Sequence, residues 1–381
     1  MIKKIIFLFL TWRIFLFLPL ILANSFLTNR SGYGYTLLTY FLSSENKLLS
    51  HFLLYPFGNF DAAYYLIIAA EGYTVNGGFF PLFPLSIHLA TSPFKNIPPF
   101  DPIQYFVATS LVIIYFLIAL NFFYRLLRLD YKENVAIGSI IFLLIFPTSF
   151  FFASIYSEGL FLLLSILSFY FARKRKWFLA SLFAGLMSAT RLVGIAMFPA
   201  LLYEYFKSEK NKSLGRLLTI FLTPLGLIVY AFYNFQKWGN PFYFIEAQGN
   251  FANNRSVDAI VLFPQTLFRY IKILLTVRPT IYEWWVALLE FSVFIFVSIM
   301  IYIAWKKQVR LSYLIFSVAA FLIPISTGTF SGLPRYILPI FPIFIALSLV
   351  KNALFKIVYI VTSIILLALL FALFSKGYFV A

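Results

Sequence analysis

Cysteine is absent from the 381 residues, so the chain can form no disulfide and use no thiolate. Its compartment therefore cannot be read from redox usage. Histidine is nearly absent: His51 and His88 are the two. Without an HxxxH motif or a paired acidic helix motif, the chain offers neither a zinc nor a di-iron site of the usual kinds. Charge is scarce as well. Asp, Glu, Lys and Arg make up 11% of the residues, whereas soluble domains carry about 25%. Internal repeats, heptad arrays and low-complexity tracts are also missing. What remains is 62% apolar, with 50 Phe and 25 Tyr. A soluble fold of that composition would expose large apolar patches. The expectation is an all-α integral membrane protein whose spans make residues 1–381 one domain.

The net charge of +17 could point to nucleic acid, but its distribution does not. No basic patch interleaved with aromatics lies on a soluble segment, so no nucleic-acid partner is expected. Most of the 30 Lys and Arg fall in short stretches that one topology puts on a single side, the positive-inside pattern. Such clusters also attract anionic headgroups of the membrane lipid.

Lys3 and Lys4 precede an apolar run to about residue 27, long enough to span and expected to stay as an anchor. Residues 28–102 carry no clean span. They are expected to form a long first extracytoplasmic loop with short interfacial helices, such as 33–42 and 48–55. The stretch 79–94, with three prolines, suits a re-entrant or partly buried helix. Further apolar runs cover 104–124, 134–153 and 157–172. Residues 177–206 suit two short tilted spans with a turn near Arg191. A run at 216–235 leads to a second outer segment, 236–280, and 283–305, 311–327, 336–350 and 354–374 complete the pattern. This is a polytopic bundle of about eleven transmembrane helices, N-terminus cytoplasmic and C-terminus outside.

The stretch around which this pattern is arranged is FGNFDAAYYLIIAAEGY, residues 57–73, followed by FFPLFPL at 79–85. It sets Asp61 among tyrosines that include Tyr64. Asp61 before a helical run that stops at Gly72 reads as a helix N-cap. It reads equally as a catalytic base, because a helix N-terminus favours the ionised carboxylate that a base requires.

Charges within a membrane are costly and are usually paired or functional. Asp61, Glu158, Arg191 and Arg335 all fall on the outer side of the topology. Two acids and two arginines there suit a reaction on an anionic lipid, since a guanidinium fork grips phosphate oxygens. Plainer readings stand beside this one. Arg335 at a span end can snorkel, as can Arg13 near the cytoplasmic start. Arg191 and Glu158 can form a structural ion pair. Glu71 suits a solvated helix end, His51 an exposed loop residue and His88 a satisfied polar group.

FDAAYYLIIAAEGY with FFPLFPL resembles the first-loop signature of the PIG-V-type GPI mannosyltransferases and their prokaryotic relatives. FPTSFFFASIYSEGLFLLLS resembles the second outer-loop element of that family. SATRLVGIAMFPALL and GLPRYILPIFPIFIALS resemble its later segments. The resemblance runs in order through four stretches across most of the chain. It implies a GT-C-like multi-span glycosyltransferase with a polyprenyl- or dolichyl-phosphate sugar donor, an outward-facing site and a catalytic acid in the first outer loop, a role that falls on Asp61. The FDA triplet has no second acid beside it, unlike the DxD or DE pairs of other GT-C branches, so no cofactor is implied and metal dependence stays open.

The expected reaction is inverting transfer of a hexose, mannose by the resemblance, to an acceptor hydroxyl on a glycan, glycolipid or protein. Asp61 would be the base, with Arg335, Arg191, Glu158 and Tyr64 binding substrate. The expected setting is a prokaryotic plasma membrane. A lipid-linked-sugar flippase or other transporter, or an O-antigen ligase- or polymerase-like enzyme, would also use outer arginines. Single cysteines in this cysteine-free chain test the topology. Glu45→Cys should react with an impermeant thiol reagent applied from outside and Arg175→Cys should not; the reverse pattern would overturn it.

Overall fold

The computed structural model describes residues 2–30, 55–74, 77–94, 97–209, 213–250, 255–257 and 259–381. Among these the chain is helical without a β-strand, apart from one isolated bridge between Val261 and Thr327. Four stretches are long and apolar enough to cross a membrane. They are Ile2–Phe26, built of α1 (Ile2–Phe15) and α2 (Phe17–Phe26), then Pro102–Leu127, Tyr282–Lys306 and Ala353–Ser375. A fifth is reached if Leu214–Ile220 and Leu225–Trp238, which meet at 48°, count as one broken span.

The other expected spans appear as shorter helices. A helix rises ~1.5 Å per residue, and the hydrocarbon core of a bilayer is roughly 30 Å thick. Glu133–Leu144 and Trp177–Ser188, with 12 residues each, fall well short of that thickness. The count of about eleven crossings is therefore not reached on helix length. The sequence pattern could not separate a crossing helix from a short one buried between neighbours. Of the loop pieces expected before the signature, 33–42 lies outside the described residues, as do His51 and most of 48–55. Tyr55–Phe57 forms a single 3-10 turn.

Local signals explain where the elements begin and end. Helix α3 (Asp61–Glu71) starts one residue earlier than a cap at Asp61 would allow. Phe60 holds the cap position and makes no side-chain capping bond, so Asp61 is the first helical residue. Gly72, at φ 74°, ends the helix as its sequence suggests. The 79–94 stretch becomes α4 (Leu82–Thr91), partly buried through Phe83 and Ile87. Helix α5 (Pro102–Leu127) is capped by Asp101, whose side chain accepts from Ile103 N at 2.7 Å, and has Pro102 in its first turn. It packs along α7 (Glu158–Arg173), with α6 (Glu133–Leu144) between them in the chain. Glu71 is exposed, and His88 is satisfied by Ala69 O at 2.7 Å. Arg13 does not follow the snorkelling expectation: its guanidinium lies 3.9 Å from the centre of the Phe57 ring.

At the end of the bundle that carries the basic clusters, buried Glu204 of α9 (Met197–Ser208) accepts from Arg310 Nε at 2.8 Å and from Ser312 at 2.7 Å. Arg173 lies beside it and pairs with Asp130. Part of the basic composition is therefore spent on tying helix ends together.

Helices α8 (Trp177–Ser188) and α11 (Leu225–Trp238), the latter following α10 (Leu214–Ile220), cross at two glycines. A Cβ at Gly226 would overlap Gly185 O and lie 2.5 Å from Ala189 N, whereas one at Gly215 would meet nothing nearer than 3.8 Å. Gly226→Ala should therefore destabilise the protein by about 1–3 kcal/mol. Gly215→Ala should be neutral or stabilise by up to ~1 kcal/mol. Thermal denaturation of the two purified variants checks the contrast.

Candidate active site

Four residues far apart in the chain meet at one place. Asp61 opens α3 and Glu158 opens α7, so both acids sit where a helix dipole favours negative charge. Arg191 is an extended residue between α8 and the 3-10 turn Leu192–Ala196. Arg335 lies in a short helix, Leu333–Tyr336. Arg335 Nη1 donates to Asp61 Oδ2 at 2.6 Å, and Arg191 Nη1 to Glu158 Oε1 at 2.6 Å. Arg335 Nε lies 3.3 Å from the same Glu158 oxygen, close enough for charge attraction but not aligned as a hydrogen bond. The order of contact is thus Asp61, Arg335, Glu158, Arg191.

Exposure divides the roles. The Glu158 side chain is 1% exposed and that of Arg335 9%, whereas Asp61 keeps 27%. Asp61 is the carboxylate that a substrate can reach. Glu158 is the buried counter-charge that lets two arginines sit side by side. Arg335 is not snorkelling: it is buried and ion-paired, with its guanidinium over Tyr156 at 5.1 Å and Phe151 at 5.6 Å.

The backbone that aims Asp61 is under strain. Phe60 has φ 56° and ψ −115°, a region that a bulky side chain rarely adopts. Its ring is held against Phe374 and Phe379, with centroids 5.7 and 5.8 Å away. Asn59 Nδ2 donates to Phe374 O at 2.6 Å, while the Asn59 carbonyl accepts from Tyr156 at 2.8 Å. Tyr64, one turn beyond Asp61, stacks on Phe79 at 4.8 Å. Burial, with the Asp61 charge adding to it, pushes the Tyr64 phenol up, so it stays a neutral hydroxyl.

Other functional-looking residues carry no clear sequence signal. Arg255, in the sequence NNRS, donates to Tyr336 Oη at 2.6 Å, and so joins the cluster through Arg335's neighbour. Glu290, inside the long helix Tyr282–Lys306, accepts from Tyr270 at 2.5 Å and from Gly332 N at 3.3 Å. It thereby holds the turn that delivers Arg335. Among the described residues no three His, Asp or Glu side chains gather as a metal-binding group.

The sequence model of the family described as Mannosyltransferase (PIG-V) matches residues 2–254. The chain belongs to the PIG-V mannosyltransferase family. No curated protein matches it in sequence. Among solved structures it is similar to ArnT from Cupriavidus metallidurans bound to undecaprenyl phosphate, with 15% identity, a TM-score of 0.48, and 79% of this chain and 57% of that one covered. It is also similar to the Archaeoglobus fulgidus oligosaccharyltransferase tethered with an acceptor peptide, with 14% identity, a TM-score of 0.46, and 97% and 55% covered. The chain spans a little over half the length of these structures. The PIG-V match contains Asp61, Tyr64, Glu158 and Arg191; Arg335 lies beyond it, and its contacts with Asp61 and Glu158 bring it into the same cluster.

Glu158 is the buried acid shared by two arginines, and removing one partner of a buried ion pair leaves a charge uncompensated. Glu158→Gln should therefore lower stability by about 3–5 kcal/mol. Thermal denaturation in detergent measures this, and an unchanged midpoint would show that the cluster is more hydrated than its packing implies.

Proposed function

We propose that this PIG-V family member is a membrane glycosyltransferase. It moves a hexose, mannose by family, from a polyprenyl-phosphate donor to an acceptor hydroxyl on a glycan, glycolipid or protein. The reading places the site on the extracytoplasmic face of a prokaryotic plasma membrane, with the N-terminus cytoplasmic and residues 1–381 acting as one domain. The observation that carries it is the direct pair between the accessible Asp61 and the buried Arg335. A proton acceptor and a cation for the leaving phosphate lie side by side there, as displacement at a sugar–phosphate carbon requires.

In this reaction the acceptor oxygen attacks the anomeric carbon, and its proton passes to an Asp61 oxygen. The bond between that carbon and the phosphate oxygen breaks, and the electron pair leaves with the lipid phosphate. One displacement inverts the configuration. Arg335, with Arg191 beside it, offsets the charge on the leaving group, which as a stable anion needs no general acid. Glu158, buried between Arg191 and Arg335, suits the role of holding the two arginines in place. General-base catalysis supplies about 10²–10⁴-fold. Positioning and electrostatics must supply the rest.

Both carboxylates of the cluster are already bound by arginines, so the reading assigns phosphate neutralisation to guanidinium groups without a divalent cation. The test is transfer from polyprenyl-phosphate mannose to a panel of acceptors by purified, reconstituted protein. Asp61→Asn should lower turnover about 10²–10⁴-fold. The fold should survive, because Arg335 retains Glu158. Chelation with EDTA should leave the wild-type rate unchanged. Wild-type turnover by the Asn variant would remove Asp61 from the base role, and loss of activity restored by a divalent metal would overturn the metal-free assignment.

A further inference from the structure

The direct ion pairs of the cluster leave one guanidinium out. Arg191, Arg255 and Arg335 stand around two carboxylates, Asp61 and Glu158. Arg335 and Arg191 engage both acids. Arg255 makes its hydrogen bonds to neutral acceptors: Gln248 Oε1 at 2.6 Å, Tyr336 Oη at 2.6 Å and Ser331 O at 3.1 Å. No carboxylate among the described residues pairs with it. Among the described residues, the hydrogen-bonded and ion-paired members of the cluster are three guanidiniums and two carboxylates, and Glu290 is a further acid whose charge Arg255 feels without a direct bond.

The guanidiniums converge on one phenol. Tyr336 Oη accepts from Arg255 Nη2 at 2.6 Å and from Arg335 Nη2 at 3.2 Å. The Tyr336 ring also lies under three guanidiniums, with centroid distances of 4.7 Å for Arg191, 5.0 Å for Arg335 and 5.4 Å for Arg255. Two amino groups that share one oxygen as acceptor are close enough to share the oxygens of one phosphate. A neutral phenol is the weaker acceptor, since hydrogen bonds from guanidinium to an ionised oxygen are roughly twice as strong. Among the described residues the Tyr336 hydroxyl hydrogen has no acceptor of its own.

We propose that Arg255 and Arg335 together seat the phosphate of the lipid donor beside Tyr336 Oη, turning to the phosphate the donors that the phenol now accepts, and that the Tyr336 hydroxyl donates to that phosphate. Arg191, stacked on the ring, adds its charge from behind. Arg255 thereby becomes a binding residue contributed by the second outer segment, and Tyr336 the group that sets the spacing of the two forks. The inference rests on the lipid-phosphate reading above.

The experiment is equilibrium binding to full-length protein in nanodiscs. The probes are a polyprenyl monophosphate, the corresponding polyprenol and inorganic phosphate. Wild type should prefer the monophosphate to the polyprenol and bind inorganic phosphate weakly. Arg255→Gln should lose affinity for the monophosphate by ~10–100-fold, the worth of hydrogen bonds to a charged group, and bind polyprenol as wild type does. Arg255→Lys, which keeps the charge but loses the fork, should fall between them, and Tyr336→Phe should lose about tenfold, one hydrogen bond. Wild-type affinity in both Arg255 variants would overturn this inference while leaving the lipid-phosphate reading intact. A wild-type protein that does not distinguish monophosphate from polyprenol would overturn that reading itself. Equal affinity for inorganic phosphate and the lipid would mean that the seat serves free phosphate, and the proposal would fall. If Arg255→Gln does not fold, the Lys and Phe variants decide.

Discussion

The contact on which the site depends is Arg335 held between Asp61 and Glu158. A guanidinium taken out of water costs several kcal/mol, and an attractive partner repays this only when geometry and hydrogen bonding are good. Here one cation is shared by two acids and one acid by two cations, so Arg335 and Glu158 are the two members whose removal leaves both of their neighbours short of a partner. That constraint accounts for much of the surrounding structure. Helices α3 and α7 must both begin at the cluster, because their N-termini stabilise the two carboxylates. The short helix Leu333–Tyr336 must end there as well, because Arg335 has to reach both.

Precision of this kind needs rigid supports, and they are unusual ones. Phe60 sits in a backbone conformation that costs on the order of 1–3 kcal/mol, held by packing on Phe374 and Phe379. Asn59 and Tyr156 fix the same segment through buried hydrogen bonds. On the other side, Thr148 donates to Pro334 O at 2.5 Å, and Glu290 with Tyr270 binds the turn before Arg335. Gly332, at φ 80°, supplies the bend. The two halves of the site are therefore held by different helices, Asp61 by the helix Ala353–Ser375 and Arg335 by the helix Tyr282–Lys306.

Rarity makes part of this legible in the sequence alone. In a chain this poor in charge, an acid or arginine inside an apolar stretch stands out, as Asp61, Glu158, Arg191 and Arg335 do. Their mutual contact is not legible, because Asp61 and Arg335 are 274 residues apart and no local pattern encodes such a pairing. Arg255 escapes notice for the opposite reason: polar stretches carry charge routinely, so NNRS has no contrast. Glu290 is hidden inside a long apolar helix whose ends attract more notice. The sequence puts the start of α3 one residue late, because Asp is a good cap and nothing in the letter F announces a positive φ. Helix positions are easier to read than helix roles. Hydropathy finds apolar stretches, but whether a short one crosses the membrane or is buried depends on neighbours distant in sequence.

The two charged clusters use charge differently, and this argues that the one around Asp61 and Arg335 is more than a fastener. At the basic end, Glu204 receives Arg310 in a two-pronged contact with Ser312 closing the remaining side, and Arg173 is satisfied by Asp130. Those pairs are saturated, as a clamp should be. At the Asp61–Arg335 cluster, one Glu158 oxygen is unbonded among the described residues, Asp61 remains partly open, and Arg255 turns to neutral acceptors. An evolved clamp would satisfy those groups, because each unpaired polar atom at a buried site costs free energy. A site that binds a ligand has a reason to leave such groups without protein partners, since the ligand brings the missing ones.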